Sequence, residues 1–226
     1  MYEILTTALG ESDCETIGGS FLAQPVNAVS SFAYVVFGVY LTLSLARAEG
    51  PERGNRKIFA VLLIATGIGS VMYHGTQGLG APFLHDLSFV SALLFLAVMN
   101  VAGTFGVDRR RALAAFTSAV LVVGGLLVLW PGSTNLIAAA TVVLLIIGDI
   151  SGHRRGTTTR NWRIASAVAM GTALLLFVGG RTGGPLCDAE SLFQGHALWH
   201  LLSAAALWTY FEATVGSRAG TGSMPL

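Results

Sequence analysis

The chain has 226 residues, of which 53% are hydrophobic and only 11% are charged, and its formal net charge is +1. The mean hydropathy of +0.67 excludes an ordinary soluble domain, because the charges cluster between long apolar runs instead of recurring along helix faces. We therefore predict an all-α, polytopic membrane protein. The first twenty residues lack a basic region followed by a continuous apolar run, so we expect no cleavable signal peptide.

An acidic arm, residues 1–20, precedes the first apolar run. Seven runs follow, most of them close to the roughly 20 residues that cross a hydrocarbon core of about 30 Å. They are Phe21–Ala46, Ile58–Thr76, Pro82–Phe105, Leu113–Trp130, Asn135–Ile150, Trp162–Gly179 and Gly195–Val215. We expect one seven-helix transmembrane bundle over residues 21–216, followed by a short disordered cytoplasmic tail over residues 217–226.

Basic residues are divided very unequally between the two sides of the predicted bundle. The arm and the connections that share its side contain a single one, Arg181. The opposite side holds Arg47, Arg53, Arg56, Lys57, Arg109, Arg110, Arg111, Arg154, Arg155, Arg160, Arg163 and Arg218. Because Lys and Arg concentrate in cytoplasmic connections, we expect the N-terminus outside and the C-terminus in the cytoplasm. Since topology explains these charges, we expect a bilayer and not nucleic acid as the partner.

Four of the five histidines fall in one outer layer of this bundle. His74 lies near the outer end of the second run, and His85 lies beside Asp86 at the outer start of the third. His196 and His200 begin the seventh run, and their i, i+4 spacing places both on one helix face. Residues of the second, third and seventh helices can therefore meet at one depth of the membrane.

This layer predicts a zinc site. Three neutral imidazoles and a water form the open, tetrahedral site of a catalytic zinc, for which we propose His74, His196 and His200. Asp86 would be the general base or would orient a histidine, and Ser70, one turn before His74, would donate to a developing oxyanion. The predicted reaction is zinc-assisted hydrolysis of an amide or ester whose apolar tail enters from the lipid.

Other interpretations of the histidines are open at this stage. His85 could replace His74 as the third ligand. The pair His196 and His200 could instead bind haem b, or the histidines could be hydrogen-bonded packing residues. The serine and the aspartate in the same layer favour zinc, because neither alternative uses them.

Other classes of seven-span protein also compete. A retinal-binding protein needs a lysine inside the bundle, and the sole lysine, Lys57, lies in a predicted cytoplasmic connection, which excludes it. A transporter is disfavoured because no polar path continues toward the inner ends. A lipid-binding receptor with a structural zinc is the main alternative, although such a zinc would need neither Asp86 nor Ser70.

Three titratable residues lie near predicted cytoplasmic ends. His153 stands among arginines, where we expect it to be solvated. For Asp149 and Glu212 we expect interfacial anchoring or pairing with arginines of the connections.

The two cysteines lie on the same predicted side of the membrane. Cys14 is in the arm and Cys187 is in the connection between the sixth and seventh runs. On an oxidising face of the membrane a disulfide between them is expected, the alternative being two unrelated free thiols.

These residues together resemble the alkaline ceramidase family, within a wider group of seven-span membrane hydrolases that includes adiponectin-receptor-like proteins. The matching segments are Asp13-Cys14-Glu15, Ala23-Gln24-Pro25-Val26-Asn27 with Ser30-Ser31, Ser70-Val71-Met72-Tyr73-His74, Asp86, and His196-Ala197-Leu198-Trp199-His200. The resemblance implies the same three zinc ligands, the same base and oxyanion helper, and the disulfide. It further implies cleavage of the ceramide amide to sphingosine and a fatty acid.

The resemblance has departures that concern calcium. Eukaryotic alkaline ceramidases share a calcium site built from acidic and amide residues of the arm and the first span. Here Gln24 stands where a glutamate is expected and Ile17 where an asparagine is expected. Fewer charged oxygen ligands predict at most a weak calcium site, formed by Asp13, Glu15 and Glu11.

The composition also bears on the source of the protein and on its substrate. Abundant Ala, Gly and Arg are typical of a bacterial protein, which predicts the plasma membrane with the site toward its extracytoplasmic side. Because few bacteria make ceramide, we expect either ceramide or a related N-acyl lipid as the substrate.

Overall fold

The computed structural model of the protein describes residues 9–216, and all of its regular secondary structure in that range is helical. Seven long helices follow the arm. They are α1 (Pro25–Arg47), α2 (Gly50–Thr76), α3 (Ala81–Phe105), α4 (Arg109–Leu129), α5 (Pro131–Arg154), α6 (Arg160–Gly179) and α7 (Gly195–Phe211). The predicted disordered tail, together with Arg218, lies outside the described residues.

The all-α prediction is confirmed, and each predicted apolar run coincides with a helix. Helices α1 to α6 are each long and apolar enough to cross a membrane. Helix α7 has 17 α-helical residues and continues as a π-helical segment, Glu212–Gly216.

The helix ends differ from the predicted runs at the basic side. Helix α2 begins at Gly50, before the predicted start at Ile58, and α5 continues to Arg154, beyond the predicted end at Ile150. The residues added at these ends include Arg53, Arg56, Lys57 and Arg154, which lie beyond the limit of the apolar runs. Because long Lys and Arg side chains reach the interface while their stems stay on apolar surface, the helix itself extends past that limit.

Helix α3 is the most buried of the helices α1 to α6 and packs against α2, α4 and α5. Helix α7 packs against α6 and α1, which brings the last helix beside the first. Stacked aromatic rings fill the centre: the Phe59 ring centroid lies 4.9 Å from that of Phe211 and 6.0 Å from that of Phe95. This core joins α2, α3 and α7, the three helices that carry the predicted site.

Two glycines permit the close backbone approaches that position these helices. A Cβ on Gly69 of α2 would lie 2.9 Å from the Leu84 carbonyl oxygen of α3. A Cβ on Gly195, the first residue of α7, would lie 2.7 Å from the Gly180 Cα at the end of α6. Both contacts are with backbone, which cannot move aside as a flexible side chain could. Small residues here therefore bring the histidine-bearing ends of α2 and α7 toward their neighbours.

Candidate metal centre

Three histidines converge at one end of the bundle. A ring nitrogen of each of His74, His196 and His200 lies within 4.8 Å of the other two. The ring centroids are 4.6 to 5.1 Å apart, and all three side chains are buried. Among the side chains of residues 9–216, these three histidines form a group that could hold a metal ion. The sequence-based choice of these three ligands agrees with this geometry.

The tautomer of His74 follows from its neighbour Gln24. The Gln24 Nε2 amide donates to the backbone carbonyls of Gly10 and Glu15, each at 2.9 Å. The amide oxygen Oε1 therefore faces His74 and accepts from its Nδ1 at 2.8 Å. Because Nδ1 carries the proton, the lone pair of His74 is on Nε2, which points into the cluster.

His200 is oriented in the same way by Ser30. The Ser30 hydroxyl donates to the Asn27 carbonyl at 2.9 Å, so it accepts from His200 Nδ1, also at 2.9 Å. The lone pair of His200 is then on Nε2, 3.4 Å from the hydroxyl of Ser70. Ser70 is itself buried, and its hydroxyl lies 2.8 Å from that of Ser31.

His196 faces the acidic arm. The Asp13 Oδ1 lies 3.4 Å from His196 Nδ1 and 3.1 Å from the Arg181 guanidinium. Burial raises the pKa of Asp13 above its usual value, and the charge of Arg181 opposes that shift. A carboxylate beside the outer nitrogen of a histidine is the arrangement that fixes metal-ligating imidazoles.

Three of these imidazole nitrogens make no hydrogen bond. They are His74 Nε2 and both ring nitrogens of His196, which are buried and have no hydrogen-bond partner among the described residues. Buried polar atoms in proteins are nearly always paired, so lone pairs that converge without a partner require another explanation. Three neutral imidazoles facing one point are the ligand set of a catalytic zinc, and the site fits that metal.

The predicted disulfide between Cys14 and Cys187 is present and fastens the arm beside this cluster. The Cys14 backbone N–H also donates to the hydroxyl of Thr182, 3.1 Å away, in the connection between α6 and α7. Asp13 is the neighbour of Cys14, so these contacts hold its carboxylate against His196.

The arm carboxylates predicted for calcium have separate partners. Asp13 faces His196 and Arg181, whereas the Glu15 carboxylate accepts the first backbone N–H groups of α1, those of Val26 and Asn27, at 2.7 and 2.8 Å. Glu11 is exposed. Burial raises the pKa of Glu15, and the two backbone hydrogen bonds oppose that shift.

Asp86 lies in the same cavity as the histidines, and two hydrogen bonds hold it. One oxygen accepts from His85 Nδ1 at 2.8 Å, and the other accepts from the Thr134 hydroxyl of α5. His85 also stacks on Tyr73, with ring centroids 4.7 Å apart. His85 is therefore a partner of Asp86 and stands outside the three-histidine group.

The sequence does not indicate that Thr134 contacts Asp86 or that the side chain of Gln24 points toward His74. A single threonine at the start of an apolar run carries no signal of contact with Asp86, 48 residues earlier. The only sequence signal for Gln24, Ser30 and Ser31 is their polarity within an apolar run.

A cavity of about 840 Å³ extends from the histidines between α5 and α6. Within residues 9–216, these two helices are not in extensive contact with each other. The walls of the cavity are apolar, and include Ala138, Val142 and Ile146 of α5 and Met170 and Leu174 of α6. The cavity therefore offers space for an apolar chain beside the histidines.

The fold and the site define an α-helical membrane protein with a buried three-histidine centre at the end of an apolar cavity. The chain matches the family model for ceramidase over residues 16–221, which is most of its length. It belongs to the ceramidase family, whose members hydrolyse an amide. A search of curated proteins finds no match.

We predict that Asp13→Asn weakens metal binding by about tenfold or more, because the carboxylate orients His196 and increases its basicity. Competition with a chromogenic chelator measures the affinity on purified protein. Glu11→Gln is the matched control, since it removes an exposed carboxylate from the same turn of the arm. Equal metal affinities for the two variants would contradict this role of Asp13.

Proposed function

We propose that the protein is an intramembrane, zinc-dependent hydrolase that cleaves the N-acyl bond of ceramide or of a related N-acyl lipid. The observation that carries this proposal is the set of three buried imidazoles in a largely apolar cavity. A structural zinc takes four protein ligands, whereas a catalytic zinc takes three and leaves a position for water. The three-histidine group therefore favours an enzyme over a receptor with a structural zinc.

A zinc ion held by His74, His196 and His200 would lower the pKa of its water to about 7 and polarise the amide carbonyl. Asp86 accepts the proton that the attacking water loses as its oxygen bonds to the carbonyl carbon. The same carboxyl group then gives that proton to the amide nitrogen as the C–N bond breaks. The products are a fatty acid and a free amine, so that atoms and charge balance.

Ser70 acts on the carbonyl oxygen. Its neighbour Ser31 donates its own proton to the Asn27 carbonyl, so in the free protein Ser70 donates to Ser31. A rotation of the Ser70 side chain redirects this proton to the substrate oxygen, where it stabilises the negative charge that develops.

The shape and the lining of the cavity support a lipid substrate. Part of its wall is formed by α5 and α6, which are not in extensive contact with each other within residues 9–216, so an acyl chain could enter between them from the bilayer. Apolar walls favour an alkyl chain, and the histidines with Ser70 and Asp86 form a polar group at one end, where the amide would lie.

Calcium is not needed in this proposal. The Gln24 amide donates to the backbone carbonyls of Gly10 and Glu15, and so it joins the arm to α1 without a cation. Glu15 is engaged with the backbone at the start of α1.

We further propose that the histidine end faces the extracytoplasmic side of a bacterial plasma membrane. The distribution of basic residues and the disulfide both support this orientation. In intact cells, a membrane-impermeant thiol reagent should label Glu190→Cys, in the α6–α7 connection, and should spare Arg110→Cys at the start of α4. The reverse labelling pattern would refute the orientation.

The enzymatic proposal is tested by release of fatty acid from N-acyl lipids. We expect Asp86→Asn to lower kcat by a factor of about 10² to 10⁴, because the amide cannot take the water proton. Bound metal should be retained, since Asp86 is not a ligand. Asp108→Asn, which removes only a helix cap at the opposite side of the bundle, serves as the control. Unchanged turnover in Asp86→Asn would contradict the role of Asp86 as the base. If the natural protein hydrolyses no N-acyl lipid, a receptor function is favoured.

A further inference from the structure

An ion pair lines the cavity on α5 and α6 far from the histidines. Arg163 Nε donates to one oxygen of Asp149 at 2.7 Å, and Nη2 donates to the other at 2.5 Å. Both residues line the cavity, and their side chains are 21% and 23% exposed. Pairing of Asp149 with an arginine agrees with the expectation from the sequence, but its place at the end of a lipid cavity was not foreseen.

The distance of this pair from the histidines can be measured along each helix. On α5, Thr134 contacts Asp86 at the histidine end, and Asp149 follows fifteen residues later, which is about 22 Å of helix. On α6, the ring of Phe177 lies 5.6 Å from that of His196, and Arg163 precedes it by about 21 Å. This depth exceeds one leaflet of hydrocarbon, about 15 Å, so a long acyl chain fits between the two ends.

The pair also joins two helices that scarcely contact each other within residues 9–216, although each is hydrogen-bonded to α7. The Ser166 hydroxyl of α6 donates to the Ala206 carbonyl of α7 at 2.9 Å. Helix α5 packs on α3, and its Leu145 carbonyl accepts from the Tyr210 hydroxyl. Since α5 and α6 lack extensive contact within residues 9–216, the ion pair bridges the opening at this level.

We propose that the Arg163–Asp149 pair is the floor of the acyl cavity and clasps α5 to α6, and so sets the longest acyl chain that the protein accepts. This inference rests on the proposed function, because it assigns the cavity to the acyl chain. A chain that passes beyond the floor must separate two partly buried charges and leave each without its partner. Chains that end above the floor meet no such penalty.

The test replaces both charges with small apolar residues, in Arg163→Ala/Asp149→Ala, so that no unpaired charge is left behind. Two measurements are made with N-acyl lipids and free saturated fatty acids of increasing length. They are the rate of hydrolysis and the rise in melting temperature that each fatty acid causes. In the natural chain, both should increase with length and then fall at a cut-off. In the double variant the cut-off should move to longer chains, with affinity up to about fourfold higher for each added methylene that the opened space takes in.

Two controls separate this effect from a general loss of stability. The charge swap Arg163→Asp/Asp149→Arg keeps an ion pair at the floor and should restore the natural cut-off. Arg56→Ala/Glu212→Ala removes another two-point ion pair, with N–O distances of 2.6 and 2.7 Å, that does not line the cavity. This second control should leave the cut-off unchanged.

An unchanged cut-off in the folded double variant would overturn the proposal, as would an equal change in the Arg56→Ala/Glu212→Ala control. Failure of every fatty acid to stabilise the natural chain would overturn it as well. Stabilisation by fatty acids does not require turnover. If the natural protein shows the cut-off but hydrolyses no N-acyl lipid, the enzymatic proposal is refuted, whereas the role of the ion pair as the floor of the cavity stands.

Discussion

One side-chain amide joins the three parts on which the site depends. Gln24 donates to carbonyls at two points of the arm, and it accepts from His74, at the end of α2. It is fully buried, so these bonds form in a medium where an unpaired polar group is costly. These three contacts form together. Gln24 therefore holds the arm beside the start of α1 and also places the proton of His74 on Nδ1.

The other two imidazoles also face polar side chains that lie outside the histidine-bearing helices. Ser30 accepts a hydrogen bond from the outer nitrogen of His200, and the carboxylate of Asp13 lies 3.4 Å from Nδ1 of His196. The ligands come from α2 and α7, whereas the groups that orient them come from α1 and the arm. Orientation of this kind determines the geometry of a metal site as much as the ligands do. The disulfide of Cys14 then secures Asp13, the orienting group that lies in the arm.

The bundle is closely packed on one side and open on the other. Aromatic stacking joins α2, α3 and α7 behind the histidines, while α5 and α6 stand apart along the cavity. Lipid can solvate the apolar walls of such an opening, so the separation of these two helices does not carry the hydrophobic penalty that it would have in water. An apolar opening beside a polar centre is what a membrane hydrolase needs in order to admit its substrate.

Much of this arrangement could be predicted from the sequence. The apolar runs located all seven helices, the i, i+4 spacing of His196 and His200 gave one face of the site, and the distribution of basic residues brought His74 to the same layer. Thr134, the direction of Gln24 and the contact of Asp13 with His196 could not be predicted. They depend on pairing between residues far apart in sequence, and a single polar residue in an apolar run has no period from which a partner can be inferred. The separation of α5 and α6 also cannot be predicted from the sequence, because residues that face lipid and residues that face a cavity have the same apolar composition.

The metal content of the purified protein tests the central claim most directly. Elemental analysis should find about one zinc per chain and no retained calcium, as expected for a site with three histidine ligands. His200→Ala should lose the zinc, whereas His153→Ala, which changes an exposed histidine outside the cluster, should keep it. A natural chain without zinc, or a His200→Ala variant that retains it, would contradict the proposal that these histidines form the catalytic centre.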